Sequence, residues 1–279
     1  MTSRGLAGTL CLVSVEHDSD VRSPSPEPGV VLTYVGHATV LIEMDGTRVL
    51  TDPLLRHNLG PLLRYGGMPD LEAISKVDAI LISHAHIDHL DLGSLRRLDR
   101  SARLLVPAGS AKTVKRLGFA SVEELEVGDS VEVGAVTLRA TPADHPTKRY
   151  PHKAFGVSMG LVVDGSQSIY FAGDTGLFSD MDEIGERLDL ALLPISGWGL
   201  TLPEDHLNPL TAAEALKLLR PRRAVPIHWG TYFAPGLPQV WRGRETQPPR
   251  DFARHAAKLA PEVAVDIVPV GGTWELGRD

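Results

Sequence analysis

From Val30 onward, short apolar runs alternate with turns that contain glycine, proline or aspartate. The runs are rich in valine, isoleucine and leucine and only a few residues long, which is typical of buried strands. Two of them are separated by Asp45 and Gly46, a pair that favours a tight β-hairpin turn. The first half of the chain is therefore predicted to form strands over residues 30–35, 39–44, 48–50 and 77–82.

The second half repeats this alternation, and segments with helical spacing of their apolar residues lie between strands. The strongest helix signal is Asn208 before Pro209, because asparagine caps a helix and proline suits its first position. Helices are predicted over residues 93–98, 109–117, 209–219 and 251–259, and strands over 130–133, 136–140, 156–163, 169–172, 190–194, 224–227 and 265–268. This mixed order predicts an α/β protein.

Two segments lack a regular pattern. Residues 16–29 are polar and rich in proline, so residues 1–29 are predicted to be a flexible leader before a single domain over residues 30–279. Residues 54–70 mix leucines with arginine, glycine and proline, and are predicted to be a loop. Ordinary loop packing is the favoured interpretation, while a lid, a contact between subunits and a lipid-facing patch stay open.

Composition narrows the classes of function. The chain has 279 residues and a formal net charge of −7, which argues against nucleic acid as the main partner. Cys11 is the only cysteine, so an intrachain disulfide is impossible and a reducing cytoplasm is expected. No segment approaches the roughly 20 apolar residues that a membrane span needs. We expect a cytoplasmic protein that acts on a small molecule, and a homo-oligomer is possible.

Histidines and aspartates follow the predicted strand 77–82 at close spacing. Ligands of open α/β sheets bind at the carboxyl ends of strands, which is where these side chains fall. His84 and His86 are two residues apart and can converge on one metal, whereas Asp88 and His89 are offset and would face a second. Neutral imidazole and carboxylate suit zinc and similar divalent ions.

The pattern His-x-His-x-Asp-His over residues 84–89 resembles the metallo-β-lactamase superfamily. The resemblance implies an αββα sandwich, in which two mixed β-sheets pack face to face with helices outside. It also implies that three ligands come from later in the chain. One metal would be held by His84, His86 and His145, the other by Asp88, His89 and His228, with Asp174 between them.

Other residues also resemble the superfamily and would support the metal ligands. Asp52, before Pro53, is expected to lie beneath the metals and orient a bound histidine, although a turn carboxylate is nearly as good an interpretation. Gly36, His37 and Ala38 resemble a branch that includes N-acyl-phosphatidylethanolamine phospholipase D-like enzymes and ascorbate-6-phosphate lactonases. His37 would then lie near the pocket, or serve as a buried structural histidine.

His206, just before Asn208 and Pro209, also resembles this branch, although the chain departs from it at the flanking Asp205. At a helix start, His206 would bind an anionic oxygen of the substrate. A basic run with Lys148 and Arg149 follows His145 and would meet an anionic substrate, and Trp198 is a candidate wall of the pocket.

The implied reaction is hydrolysis by a hydroxide held between two divalent metals, with Asp88 orienting the nucleophile or passing on its proton. Zinc is expected, and manganese or iron are possible. The first hypothesis is a hydrolase of a phosphodiester or another anionic ester. A lactonase that acts on a sugar-phosphate-like cyclic ester is the second, and a metal-binding module without turnover is the third.

The Gly-x-Ser-x-Gly pattern over residues 156–160 matches the nucleophile elbow of serine hydrolases. That elbow needs a strand followed by a helix. Here the pattern leads instead into apolar runs of a predicted β-hairpin, so Ser158 is interpreted as a strand residue and not as a nucleophile.

Overall fold

The structure is a computed structural model, and it describes residues 29–146, 156–196, 204–236, 243 and 246–277. The predicted leader lies outside the described residues except for Gly29, and so do Lys148, Arg149 and Trp198.

The strands occur throughout the described chain, and most of them lie close to their predicted positions. They are β1 (Val30–Gly36), β2 (Thr39–Met44), β3 (Thr47–Thr51), β4 (Asn58–Leu59), β5 (Leu62–Arg64), β6 (Ala79–Leu81), β7 (Arg103–Pro107), β8 (Ser121–Leu125), β9 (Ser130–Val133), β10 (Val136–Pro142), β11 (Met159–Asp164), β12 (Ser168–Phe171), β13 (Leu190–Pro194), β14 (Arg223–Ile227), β15 (Tyr232–Phe233), β16 (Ala264–Val265) and β17 (Thr273–Leu276).

The helices are α1 (Leu71–Ser75), α2 (Leu92–Leu95), α3 (Ala111–Val114), α4 (Pro209–Leu219) and α5 (Gln247–Leu259), and two 3-10 helices span Lys115–Leu117 and Ser179–Glu183. The cap predicted for α4 is present, since the Asn208 side chain accepts hydrogen bonds from the backbone N–H groups of Leu210 and Thr211. Helix α5 begins one turn earlier than predicted, and α2 is a single turn.

Two seven-stranded sheets form the framework. The first has the order β17-β1-β2-β3-β6-β7-β8 and the second the order β16-β14-β13-β12-β11-β10-β9. Each sheet is mixed, with antiparallel hairpins at one side and parallel strands at the other. The parallel strands β6, β12, β13 and β14 thus end in loops that can share one edge of the framework.

Alternate residues of the inner strands pack on opposite sides of the sheet. In the first sheet, Leu81 and Leu105 belong to a core that also contains Leu161 of the second sheet. Their neighbours Ile80 and Leu104 belong to a separate core, which includes Leu95 of α2 and Val114 of α3. Helices α4 and α5 pack against each other and join the core of the second sheet. This arrangement confirms the predicted αββα sandwich.

The prediction of a loop over residues 54–70 was wrong. Strands β4 and β5 form a small hairpin in this segment, and β15 pairs with β5 through Tyr232 and Arg64. Strands this short are stabilised by distant partners, which local sequence does not reveal. The buried Arg64 guanidinium donates hydrogen bonds to the carbonyls of Leu54 and Val35, and thereby fixes the hairpin to the end of β1.

The strand predicted from Gly156 begins only at Met159, so Ser158 precedes β11. Among the described residues, no helix is both long enough and apolar enough to cross a membrane.

Candidate metal centre

The candidate ligands come from different strands but meet at one edge of the sheets. The loop after β6 carries His84, His86, Asp88 and His89, the segment after β10 carries His145, the turn after β12 carries Asp174, the turn before α4 carries His206, and the residues after β1 and β14 are His37 and His228. All but His206 therefore follow the carboxyl end of a strand, the usual location of ligand sites in such sheets.

Several of these positions have a strained backbone. His37, Asp52 and His228 have φ angles of 57°, 33° and 62°, in the left-handed region that non-glycine residues rarely adopt. Gly173, directly before Asp174, has a φ of 63°, and a Cβ atom there would lie 2.7 Å from the Cβ of Ser83. Such strain is commonly concentrated at functional sites, where it aims a side chain.

Three imidazole nitrogens form the first cluster. Nε2 of His84 lies 2.9 Å from Nδ1 of His86, and Nε2 of His145 lies 3.1 Å from the same atom. Three nitrogens at this separation cannot satisfy one another through hydrogen bonds, because each neutral ring offers one donor and one acceptor. A single cation placed among them would satisfy all three lone pairs.

The second cluster lies around the carboxylate of Asp174. Its Oδ2 is 3.1 Å from Nε2 of His89, and its Oδ1 is 3.4 Å from Nε2 of His228. Asp88 completes this side, with Oδ2 at 3.7 Å from Nε2 of His89. Asp174 also groups with His145 of the first cluster, so its carboxylate lies between the two sets of nitrogens.

Three buried atoms in this region make no hydrogen bond within the described residues: Nε2 of His89, Nε2 of His228 and Oδ1 of Asp174. Buried polar atoms without partners are costly and rare. These three are also the nitrogen and oxygen types that divalent metals prefer. The donor set therefore fits a bound cation.

The opposite nitrogen of most of these rings is held by a partner outside the cluster. Nδ1 of His145 donates to the backbone carbonyl of Asp205 at 3.0 Å, and Nδ1 of His228 donates to the carbonyl of Ser196 at 2.7 Å. Nδ1 of His84 lies 3.0 Å from the Ser83 hydroxyl. Such partners fix the tautomer, so that Nε2 faces the metal position.

His89 is held by Asp52, whose Oδ2 lies 2.7 Å from Nδ1 of the ring. The same carboxylate accepts hydrogen bonds from the backbone N–H and the hydroxyl of Ser83. Asp52 lies where the sequence predicts it, whereas the role of Ser83 was not predicted, although its location directly before His84 was an available signal. The carbonyls of Ser196 and Asp205 were also missed, because a backbone group leaves no signature in the sequence.

Burial lowers the pKa of His84, His86 and His145, and it lowers the pKa of His228 to about 4. Removing an imidazolium from water is unfavourable, so these rings are neutral at physiological pH. Neutral imidazole is the form that binds metal.

The two carboxylates stay ionised. Burial by itself raises the pKa of Asp88, but nearby His89 and the hydrogen bond from His37 outweigh it and hold the pKa far below its ordinary value. For Asp174, His228 and His89 outweigh burial in the same way and lower the pKa.

His89 is the exception among the rings. Burial by itself lowers its pKa, but Asp174, Asp88 and Asp52 together raise it well above the ordinary value. One imidazole thus faces three buried carboxylates. The excess negative charge at this point is what a divalent cation would neutralise.

His37 lies closer to the centre than the sequence indicated. Its Nε2 is 3.1 Å from Oδ2 of Asp88, and its ring centroid is 3.8 Å from that of His228. One ligand atom each from His37, Asp88, His89 and His228 lie within 4.8 Å of one another. The ring of His37 therefore contacts the candidate ligands directly.

His206 is also at the centre. Its Nε2 lies 3.6 Å from Oδ2 of Asp174, and its ring centroid is 4.6 Å from that of His145. The helix start beside it is not open to an anion, because Asn208 already accepts the N–H groups of Leu210 and Thr211. The contact of His206 with an anionic oxygen therefore stays a prediction, and we expect it to come from the imidazole ring.

Ser158 has no basic partner among the described residues. Its hydroxyl is buried and makes no hydrogen bond within the described residues, and the segment continues into strand β11 rather than a helix. The nucleophile-elbow geometry is absent at this position.

A family model described as a beta-lactamase superfamily domain matches residues 47–229. The chain is 35% identical to N-acyl-phosphatidylethanolamine-hydrolyzing phospholipase D 1 of Caenorhabditis elegans, over 89% of this chain and 76% of that protein. It is 34% identical to a metal-dependent hydrolase of Methanopyrus kandleri, over 88% of this chain and 99% of that one.

A solved metallo hydrolase from Ignicoccus hospitalis superposes with a TM-score of 0.65 at 26% identity, covering 88% of this chain and 97% of that chain. The matched family region includes every candidate ligand that follows β6. With two mixed sheets, external helices and histidine–aspartate clusters able to bind metal, the chain belongs to the beta-lactamase superfamily as a metal-dependent hydrolase.

Proposed function

We propose that this chain uses two divalent metals to hydrolyse a phosphodiester or another anionic ester. The observation that carries the proposal is a set of three buried ligand atoms, from His89, His228 and Asp174, that make no hydrogen bond within the described residues and lie around one carboxylate. The ion pairs with Asp174 offset only part of the cost of burying these atoms, and a cation would satisfy all three.

The proposed ligands divide into two sets around a shared carboxylate. One ion would be held by His84, His86 and His145, the other by Asp88, His89 and His228, with Asp174 between them. When bound, such a pair of ions would polarise the scissile ester and lower the pKa of bound water to near neutrality. Zinc is the proposed metal, because nitrogen ligands predominate.

Asp88 is proposed to orient the attacking water and accept its proton. One of its oxygens is engaged by His37 at 3.1 Å, which fixes the carboxylate plane. Its low pKa keeps the carboxylate ionised, so that it can accept a hydrogen bond from the water.

His206 is proposed to contact the substrate oxygen on which negative charge develops. Its Nε2 faces Asp174 at 3.6 Å, and 23% of its side chain is exposed, so the ring borders both the centre and solvent. In its doubly protonated form the ring can donate from Nε2 to that oxygen, which stabilises the transition state. Hydrolysis adds water across the ester bond, and the leaving oxygen receives the proton that Asp88 accepted from the water.

The phosphodiester preference is supported by the relative from Caenorhabditis elegans, which is a phospholipase D that acts on N-acyl-phosphatidylethanolamine. Lys148 and Arg149 supply positive charge next to His145 in a chain with a net charge of −7, and Trp198 is the proposed apolar wall. An anionic small molecule would be attracted to such a local basic segment. A cytoplasmic location is proposed from the single cysteine.

The test is turnover of bis(para-nitrophenyl) phosphate by protein loaded with zinc or manganese, compared with a panel of simple lactones. Asp174→Ala is the inactive control, because that carboxylate contacts both His89 and His228. Release of para-nitrophenol by the wild type alone supports the proposal. Lactone opening without phosphodiester cleavage would assign the lactonase function. No turnover of either substrate class by protein with full metal occupancy would favour a binding module.

A further inference from the structure

Asp205 contacts two imidazoles of the centre through two different groups. Its backbone carbonyl accepts a hydrogen bond from Nδ1 of His145 at 3.0 Å. Its side-chain Oδ1 lies 2.9 Å from Nδ1 of His206. The residue therefore borders a candidate metal ligand through the main chain and the substrate-facing histidine through its carboxylate.

The carboxylate contact determines which nitrogen of His206 faces the centre. A carboxylate can only accept, so Nδ1 of His206 carries a proton and donates it to Asp205. Nε2 is then the atom that lies 3.6 Å from Asp174. The ring is thus fixed in both tautomer and direction by one neighbour.

The turn that carries this pair is itself anchored. The backbone N–H of Leu207 donates to the carbonyl of Thr175 at 2.8 Å, and the Leu207 side chain is buried. Asn208 then caps α4. Because the chain directly after the pair is held and the Asp205 carbonyl accepts from His145, the main chain is anchored, and the Asp205 carboxylate restricts rotation of the His206 side chain.

We propose that Asp205 is a positioning residue, which holds His206 so that Nε2 faces the reacting oxygen of the substrate. This inference rests on the proposed function. The carboxylate acts through His206 and does not touch substrate. An alignment of this kind resembles the carboxylate–histidine pairs that orient general acids and bases in other hydrolases.

The main-chain contact makes the test selective. Asp205→Ala removes the carboxylate but keeps the carbonyl that holds His145, so metal binding should persist. The side chains of His206 and Asp205 are 23% and 30% exposed, so the substitution should not disrupt folding. Asp205→Asn retains an oxygen that can accept from Nδ1 and should restore part of the activity.

The matched control is Glu204→Ala, which removes the same charge from the adjacent exposed residue. For Asp205→Ala we expect kcat to fall roughly 10- to 100-fold at nearly constant KM, as is typical for residues that orient a functional histidine. Metal content should equal that of the wild type. In a His206→Ala background, Asp205→Ala should have little further effect, since residues that act as a unit are not additive.

A second measurement does not depend on turnover. The imidazole nitrogens of His206, observed by 15N NMR in metal-loaded protein, should show a proton at Nδ1 in the wild type and a mixture of tautomers in Asp205→Ala. Equal spectra in the two proteins, additive losses in the double variant, or a loss of metal in Asp205→Ala would each overturn the positioning role. If no phosphodiester is cleaved by any form, the proposed function fails while the NMR comparison still decides the orientation.

Discussion

The carboxylate of Asp52 lies 2.7 Å from Nδ1 of His89, and neither side chain is exposed to solvent. Asp52 comes from the end of β3 and His89 from the loop after β6, so the contact joins adjacent parallel strands at the edge where the ligands meet. The other oxygen of Asp52 accepts the N–H of Ser83, which aligns the loop that begins the histidine motif. Asp52 is thus the link between the β-sheet and the metal centre.

Asp52→Asn should weaken metal binding by roughly 10- to 100-fold, because an amide does not hold the His89 ring with the same charge and polarity. Competition with a fluorescent chelator measures the affinity directly. Asp182→Asn, at an exposed position that contributes no candidate ligand, is the matched control. Unchanged affinity in a folded Asp52→Asn protein would show that His89 is oriented by the remaining packing.

Protein purified without chelator should contain close to two equivalents of divalent metal, and Asp174→Ala should contain less. The reason is that Asp174 approaches both His89 and His228, and groups with His145 of the other cluster. Elemental analysis gives the stoichiometry. Full metal content together with full activity in Asp174→Ala would rule out a shared carboxylate ligand.

Chelator-treated protein should lose thermal stability as the pH falls from 6.5 towards 4. Burial lowers the pKa of His228 from 6.5 to about 4 and lowers the pKa of His84, His86 and His145, so the unfolded chain binds more protons in this interval. His89 acts in the opposite direction, because its pKa is raised and its contribution is lost as the pH rises through that value.

Unfolding curves over this pH range, recorded with and without added zinc, provide the measurement. The four rings with lowered pKa favour stability at higher pH, and the contribution of His89 is constant in this interval because its raised pKa lies above it, so the slope should be positive. Stability that is constant or that rises on acidification would contradict the burial of neutral imidazoles.

Ser158→Ala should leave turnover within about twofold of the wild type. The hydroxyl makes no hydrogen bond within the described residues, so its removal also costs little stability, on the order of 1 kcal/mol or less. Steady-state kinetics of Ser158→Ala and Asp174→Ala, measured side by side, test this difference in turnover. Collapse of activity in folded Ser158→Ala would restore the serine hydrolase hypothesis.

Replacement of Lys148 and Arg149 by alanine should raise KM more than it lowers kcat, because a general attraction between charges stabilises the bound ground state and the transition state alike. KM of the wild type should also rise with ionic strength as salt screens the attraction. Lys115→Ala with Arg116→Ala removes the same charge from an exposed 3-10 helix and serves as the control. Equal kcat/KM for neutral and anionic forms of one substrate at low salt would contradict the charge argument.

The sequence by itself determined the features that depend on neighbours along the chain. The hairpin at Asp45 and Gly46, the capped start of α4 at Asn208 and strand β13 all lie where the pattern predicts them. The spacing of His84 and His86 likewise indicated a metal centre, because two imidazoles in one turn can converge without help from other segments.

Tertiary structure decided the features whose partners are distant in sequence or are backbone atoms. Strand β5 exists because β15 pairs with it, and His37 reaches Asp88 only because β1 and the loop after β6 end at the same edge. The carbonyls of Ser196 and Asp205 orient His228 and His145, yet every residue carries a carbonyl and none is distinguished by its side chain. Local patterns encode conformation, whereas long-range contacts depend on how the whole chain packs.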